Sequence, residues 1–157
     1  MSEQPLTDAM VAQYAGMWTM WREAIAACSD EMWRAGETQF SVPARLAFHV
    51  IQAADFYADA DPNAYDWMAH GFDWEEAPAE ALPAKEAVSA FLDITEKKVR
   101  DWLMAMGDVG LAVKIKALPW LSCGLAVAAY VLRHSQYHLG QLDTLLHRKG
   151  LPSPEWQ

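Results

Sequence analysis

Apolar residues recur along four stretches of the chain at alternating steps of three and four positions. Side chains with that spacing share one face of an α-helix, so each stretch is predicted to form an amphipathic helix. The apolar series of the first stretch is Met10, Tyr14, Met17, Trp21, Ile25, Cys28 and Met32. It predicts a first helix from about Leu6 to Arg34, with Thr7 or Asp8 as its N-cap.

The other three stretches predict helices separated by turn-forming residues. The second helix is expected to follow a capping Ser41, to carry Pro43 in its first turn and to end at Asp61-Pro62. The third is expected over about residues 84–106, and the fourth over about residues 122–149. Four long amphipathic helices with little strand pattern indicate an all-α fold, a four-helix bundle.

Length, composition and charge narrow the class of protein. The 157 residues fit a single domain, and a hydrophobic content of 53% argues against disorder. An acidic balance, with 12 Lys plus Arg against 21 Asp plus Glu, argues against a nucleic-acid partner. There is no signal-peptide pattern, no apolar run long enough to span a membrane and no Cys-x-x-Cys pair. We therefore expect a cytoplasmic protein that does not bind membranes, with Cys28 and Cys123 as free thiols.

The connector between the second and third helices, residues 61–83, is the least regular part of the sequence. It combines six acidic residues with four aromatic ones, Tyr65, Trp67, Phe72 and Trp74. A connector of this length is uncommon in a compact domain and is often functional. Two interpretations stay open: the aromatic side chains cap one end of the core, or the segment is a lid over a pocket.

Histidines occupy positions where a bundle helix normally carries leucine or isoleucine. In the fourth helix the core-facing series is Val127, Val131, His134, His138, Gln141 and Leu145. In the second helix His49 falls on the corresponding series. Two imidazoles one helical turn apart can chelate one metal ion if a third ligand comes from elsewhere. The alternative is a hydrogen-bonded network of core histidines. Gln141, on the same series, either orients a ligand or a bound water or bonds to backbone.

The remaining motifs exclude several classes of enzyme. The absence of Glu-x-x-His argues against a di-iron bundle, and the absence of His-Glu-x-x-His excludes a zincin protease. No Gly-x-Ser-x-Gly is present to support a serine hydrolase. His70, in the connector, and His147, off the core-facing series, are expected at the surface.

Two short motifs resemble those of the DinB-like superfamily, which includes bacillithiol S-transferases and the mycothiol-dependent maleylpyruvate isomerase domain. They are Leu46-Ala47-Phe48-His49-Val50 and His134-Ser135-Gln136-Tyr137-His138-Leu139-Gly140-Gln141-Leu142, the latter followed by Gly150-Leu151-Pro152. The resemblance implies an up-down-down-up four-helix bundle with a long connector between helices 2 and 3. It also implies a divalent metal ion bound by His49, His134 and His138, and a possible homodimer.

Two functions follow as hypotheses. Three imidazoles leave a coordination position open, as in catalytic zinc sites, and imidazole suits zinc and nickel equally. The first hypothesis is a metal-dependent enzyme that activates a thiol or water on a small-molecule substrate. It would be a thiol S-transferase or a hydrolase, with a low-molecular-weight thiol as a possible co-substrate. The alternative hypothesis is a non-catalytic, stress-related metal-binding bundle that acts through dimerisation. No catalytic or cofactor-binding residue beyond the three ligands is indicated.

Overall fold

The computed structural model describes residues 3–157, and these residues form helices and loops without a β-strand. The α-helices are α1 (Pro5–Ala27), α2 (Asp30–Trp33), α3 (Pro43–Tyr57), α4 (Lys85–Leu111) and α5 (Gly124–Arg148). Single 3-10 turns lie at Gln39–Ser41, Pro62–Ala64 and Ala79–Ala81. The predicted all-α class is therefore confirmed. No helix in this part of the chain is long and apolar enough to cross a membrane.

The four long helices pack so that α1 and α3 each contact both α4 and α5. Two contacts at different heights along each helix pair show whether the helices run parallel or antiparallel. These contacts are Thr7–Asp108 and Arg22–Asp93 for α1 with α4, Tyr14–Ala128 and Met20–Gln136 for α1 with α5, Phe48–Phe91 and Asp55–Lys98 for α3 with α4, and His49–His138 and Tyr57–Tyr130 for α3 with α5. Thus α5 runs in the direction of α1, while α3 and α4 run in the opposite direction.

The core between these helices is apolar and rich in large side chains. The largest fully buried residues include Trp18 and Trp21 of α1, Phe48 of α3 and Leu92 of α4. Most of the apolar series predicted for the first helix is buried as expected. Its buried members are Tyr14, Met17, Trp21, Ile25, Cys28 and Met32. Burial of this stripe, rather than helix propensity alone, holds α1 in the bundle.

The predicted first helix from Leu6 to Arg34 is wrong as a single element. Helix α1 ends at Ala27, and α2 begins at Asp30 as a separate turn. Ser29 separates them, because its hydroxyl oxygen accepts a hydrogen bond of 3.2 Å from the backbone N–H of Met32. The predicted N-cap is wrong too: the cap position is Gln4, so Thr7 and Asp8 lie inside the helix.

The other helix boundaries need smaller corrections. Val42, not Ser41, is the N-cap of α3; the Ser41 hydroxyl instead accepts from the Thr38 backbone N–H at 2.8 Å. Helix α4 does not stop at Met106 but continues to Leu111 across a kink at Gly107. Gly107 has φ 60° and ψ 179°, a conformation that glycine adopts without strain. The fourth predicted helix corresponds closely to α5.

Candidate metal centre

The side chains of His49, His134 and His138 converge between α3 and α5. A nitrogen from each ring lies within 4.8 Å of the other two, and Nε2 of His49 is 3.0 Å from Nε2 of His134. The two α5 histidines are one helical turn apart, and the antiparallel α3 brings His49 to the same level. The three residues that the sequence singled out therefore form a group that can hold a metal ion.

The donor chemistry of this group fits a divalent cation. Burial lowers the pKa of His49 to about 3 and that of His134 to about 4, and the neighbouring imidazoles make a smaller contribution in the same direction. Burial also lowers the pKa of His138. All three rings are therefore neutral at pH 7 and offer a lone pair. Two nitrogens on one tetrahedral zinc ion lie about 3.3 Å apart, close to the 3.0 Å between His49 and His134.

Gln141 fixes the orientation of one candidate ligand. Its Oε1 lies 2.7 Å from Nδ1 of His138, one turn earlier on α5. Because a carboxamide oxygen only accepts hydrogen bonds, the proton of the neutral His138 ring lies on Nδ1. The lone pair of Nε2 is then free to bind a cation. Of the two roles that the sequence left open for Gln141, the orienting role is the one observed. Such outer hydrogen bonds set the tautomer and ring orientation of histidine ligands.

Two aromatic side chains from outside the long helices lie against the histidine rings. Phe40, in the 3-10 turn Gln39–Ser41, stacks on His138 with ring centroids 5.3 Å apart and an interplanar angle of 27°. Trp74, in the connector, lies against His49 with centroids 4.1 Å apart. These rings cover the imidazoles and restrict their rotation. Sequence reasoning missed both contacts, because loop residues carry no helical period that would place them.

A cavity of about 490 Å³ opens directly beside His49 and His134. Its wall is formed by α3, α5 and the connector 61–83. The other lining residues are Gln52, Ala53, Phe56, Tyr57, Trp67, Met68, Asp73, Trp74, Glu75 and Tyr130. The connector therefore borders the cavity, while its Phe72 packs on Phe48 of the core. The connector thus has features of both predicted roles, and whether it opens as a lid stays a prediction.

Arg45 of α3 holds the connector over the histidines. This residue is only 7% exposed, and it lies one helical turn before His49. Its guanidinium donates to the backbone carbonyl oxygens of Trp74, Glu75 (3.0 Å) and Ala77 (2.6 Å). Both terminal nitrogens of the guanidinium are thus bonded to backbone acceptors, its buried Nε has no partner among residues 3–157, and Trp74 is positioned by its main chain.

Two more residues of α3 anchor the same connector. Gln52 donates from Nε2 to the carbonyl oxygen of Trp67 at 3.0 Å. Asp55 accepts a hydrogen bond of 2.8 Å from the Tyr65 hydroxyl, and Lys98 of α4 forms an ion pair of 2.8 Å with the same carboxylate. The helix that supplies His49 therefore also determines the path of the connector beside it.

The other two histidines lie outside the candidate metal centre. His70 is exposed and packs against Phe48 and Phe91, with centroid distances of 5.1 and 4.3 Å. His147 is exposed near the end of α5. Both positions agree with the surface placement expected from the sequence.

Geometry is the guide to function here, since no protein-family model, curated protein or solved structure matches the chain. The resemblance to DinB-like proteins, which the two histidine motifs carry, therefore stays a prediction.

Proposed function

We propose that this chain is a DinB-like metal-dependent enzyme, of the thiol transferase or hydrolase class, whose three histidines hold a divalent ion. The observation that carries the proposal is the grouping of three neutral imidazoles at the edge of a cavity of about 490 Å³. The helix directions support the family assignment, because α1 and α5 run one way and α3 and α4 the other. This is the up-down-down-up order that the resemblance implies.

Each residue of the site has a distinct part in the proposal. His49, His134 and His138 would hold the ion, with zinc and nickel as the candidates that imidazole suits. When bound, a divalent ion supplies a Lewis acid that lowers the pKa of a thiol or water. Gln141 holds the His138 ring in its ligating tautomer, and Trp74 limits access of water to His49.

The cavity favours an enzyme over a purely structural metal site. His49 and His134 both line it, so a small molecule bound there lies beside the metal centre. Structural zinc sites are normally closed by a fourth protein ligand. Within residues 3–157 the group contains the three histidines without a cysteine or carboxylate. An open coordination position next to a cavity is the arrangement that catalytic sites have.

Metal titration tests the first step of the proposal. We expect purified wild-type protein to bind a single zinc or nickel ion per chain, as measured by elemental analysis and calorimetry. His138→Ala should abolish this binding. Gln141→Leu should weaken it by about 10–100-fold, because the ring loses its orienting hydrogen bond. His147→Ala is the matched control on the same helix and should bind metal like the wild type.

Two results would contradict the assignment of the ligands: wild-type protein that stays metal-free after loading, or His147→Ala with a loss equal to that of His138→Ala. Turnover then separates the two functional hypotheses. A panel of thiol-conjugation and hydrolysis reactions should show activity that is lost on chelation and restored by metal. A non-catalytic bundle would show a large drop in unfolding temperature on chelation and no turnover.

A further inference from the structure

One side chain in the wall of the cavity has a buried polar atom without a partner. Gln52 is only 1% exposed, and its Nε2 donates to the carbonyl oxygen of Trp67. Its Oε1 is buried and has no hydrogen-bond partner among residues 3–157. Buried acceptors are nearly always satisfied in folded proteins, and Gln52 is one of the residues that line the cavity, so a donor on a bound molecule would satisfy this oxygen.

The rest of the wall shows which kind of donor fits. Five aromatic side chains line the cavity, namely Phe56, Tyr57, Trp67, Trp74 and Tyr130. Aromatic rings offer apolar area for a hydrocarbon body, and their faces attract cations. The volume of about 490 Å³ lies within the usual range for small-molecule sites.

The charges at the cavity have one sign. Asp73 and Glu75 line it, both are exposed, and no lysine or arginine is among the lining residues. Two carboxylates beside aromatic rings favour a positively charged ligand over an anion. They also offset the positive charge that a metal ion at the histidines would add nearby.

We propose that this cavity binds a small molecule with an apolar or aromatic body and a protonated amine, whose N–H donates to Oε1 of Gln52. The inference rests on the proposed function, for which it names the substrate class. Gln52 lies three residues after His49 on α3, which places the two side chains on the same helix face. An amine held at Gln52 would thus fix the remainder of the molecule beside the three histidines.

Three probes of similar size and different charge test the selectivity of the cavity. Phenethylamine is cationic, 2-phenylethanol is neutral and 3-phenylpropanoate is anionic, and each carries one phenyl ring. Binding is measured by ligand-observed NMR and calorimetry on the metal-free protein and again on the zinc-loaded protein. We expect phenethylamine to bind about tenfold more tightly than the alcohol to the metal-free protein, and the anion to bind most weakly. Equal affinity for all three probes would overturn the proposal.

Variants of Gln52 separate its acceptor role from its contact with Trp67. Gln52→Leu loses both groups and should weaken phenethylamine binding about tenfold or more. Gln52→Glu keeps an acceptor oxygen but loses the donor to Trp67, and it should bind phenethylamine at least as tightly as the wild type. Gln136→Leu, on α5 and outside this cavity, is the control and should leave binding unchanged. Equal losses in Gln52→Leu and Gln52→Glu would overturn the assignment of Oε1.

These measurements fail independently of the proposed function. Binding of phenethylamine to the metal-free protein requires the cavity but no metal ion, whereas the metal titration measures the ion at the three histidines. A protein that binds zinc but does not discriminate among the probes would refute the substrate class and leave the metal centre standing. A protein that selects the amine but binds no metal would refute the metal-dependent enzyme and leave the amine site standing.

Discussion

Replacing Arg45 with methionine removes the three hydrogen bonds that hold the connector over His49, while keeping a side chain of similar length. Hydrogen bonds to charged groups contribute roughly 1.5–3 kcal/mol each. The net loss is smaller than their sum, because the variant no longer buries a charge and because water can reach the carbonyl of the exposed Glu75. We expect Arg45→Met to lower the free energy of unfolding by about 2–4 kcal/mol. For a chain of this size that corresponds to a fall of about 4–16 °C in unfolding temperature.

Urea and thermal unfolding followed by circular dichroism would measure this loss. Arg22→Met is the matched control: the Arg22 side chain is 40% exposed and pairs with Asp93 and Glu96 on the surface, so its loss should stay below about 1 kcal/mol. Hydrogen exchange gives a local readout, because the Ala77 amide, bonded to the Asp73 carbonyl at 2.9 Å, should exchange faster in Arg45→Met. Equal stability of Arg45→Met and Arg22→Met, with unchanged exchange at Ala77, would refute the reasoning.

Two further predictions concern titratable groups. Burial raises the pKa of the Cys28 thiol to about 11, whereas a hydrogen bond from the Ala126 N–H lowers the pKa of the Cys123 thiol. Iodoacetamide at pH 7.5 should therefore modify Cys123 alone until the protein unfolds. Peptide mapping would show which thiol is modified. Equal modification of both thiols in the folded protein would contradict this. A hydrogen bond from Lys98 lowers the pKa of the Asp59 carboxyl. The stabilisation that this pair gives the folded state is therefore present above about pH 4 and is lost as the pH falls through the lowered pKa. The stability gap between wild type and Asp59→Asn should therefore shrink in acid; a gap independent of pH would count against it.

The break between α1 and α2 shows a limit of hydrophobic periodicity. Cys28 and Met32 are both buried and continue the spacing of the α1 residues, so the pattern runs through a point where the backbone is not helical. The local hydrogen bond from the Met32 amide to Ser29 outweighs one more turn of helix. Ser29 before Asp30 and Glu31 is a capping signal that could have located the break.

The candidate metal centre was predictable because its members lie on long helices. The spacing of His134 and His138 places them on one face of α5 independently of the loop conformations. His49 joins them if α3 packs alongside α5. Trp74 reaches His49 through an irregular path that has no period. The unpartnered oxygen of Gln52 depends on that same path, through the bond from its amide to Trp67. A polar residue within a mostly buried helix, such as Gln52 in α3, is the feature of the sequence that could have indicated this part of the site.

Four main-chain carbonyl oxygens of the connector bind side chains of α3. Arg45 and Gln52 bond to the carbonyl oxygens of residues 67, 74, 75 and 77, which every amino acid possesses. Exchanging the side chains of Trp67 and Glu75, which line the cavity, would therefore reshape it while these main-chain hydrogen bonds and the ring contact between Trp74 and His49 are kept. A few substitutions in one loop would in this way change which molecules the cavity accepts while the group of three histidines stays in place.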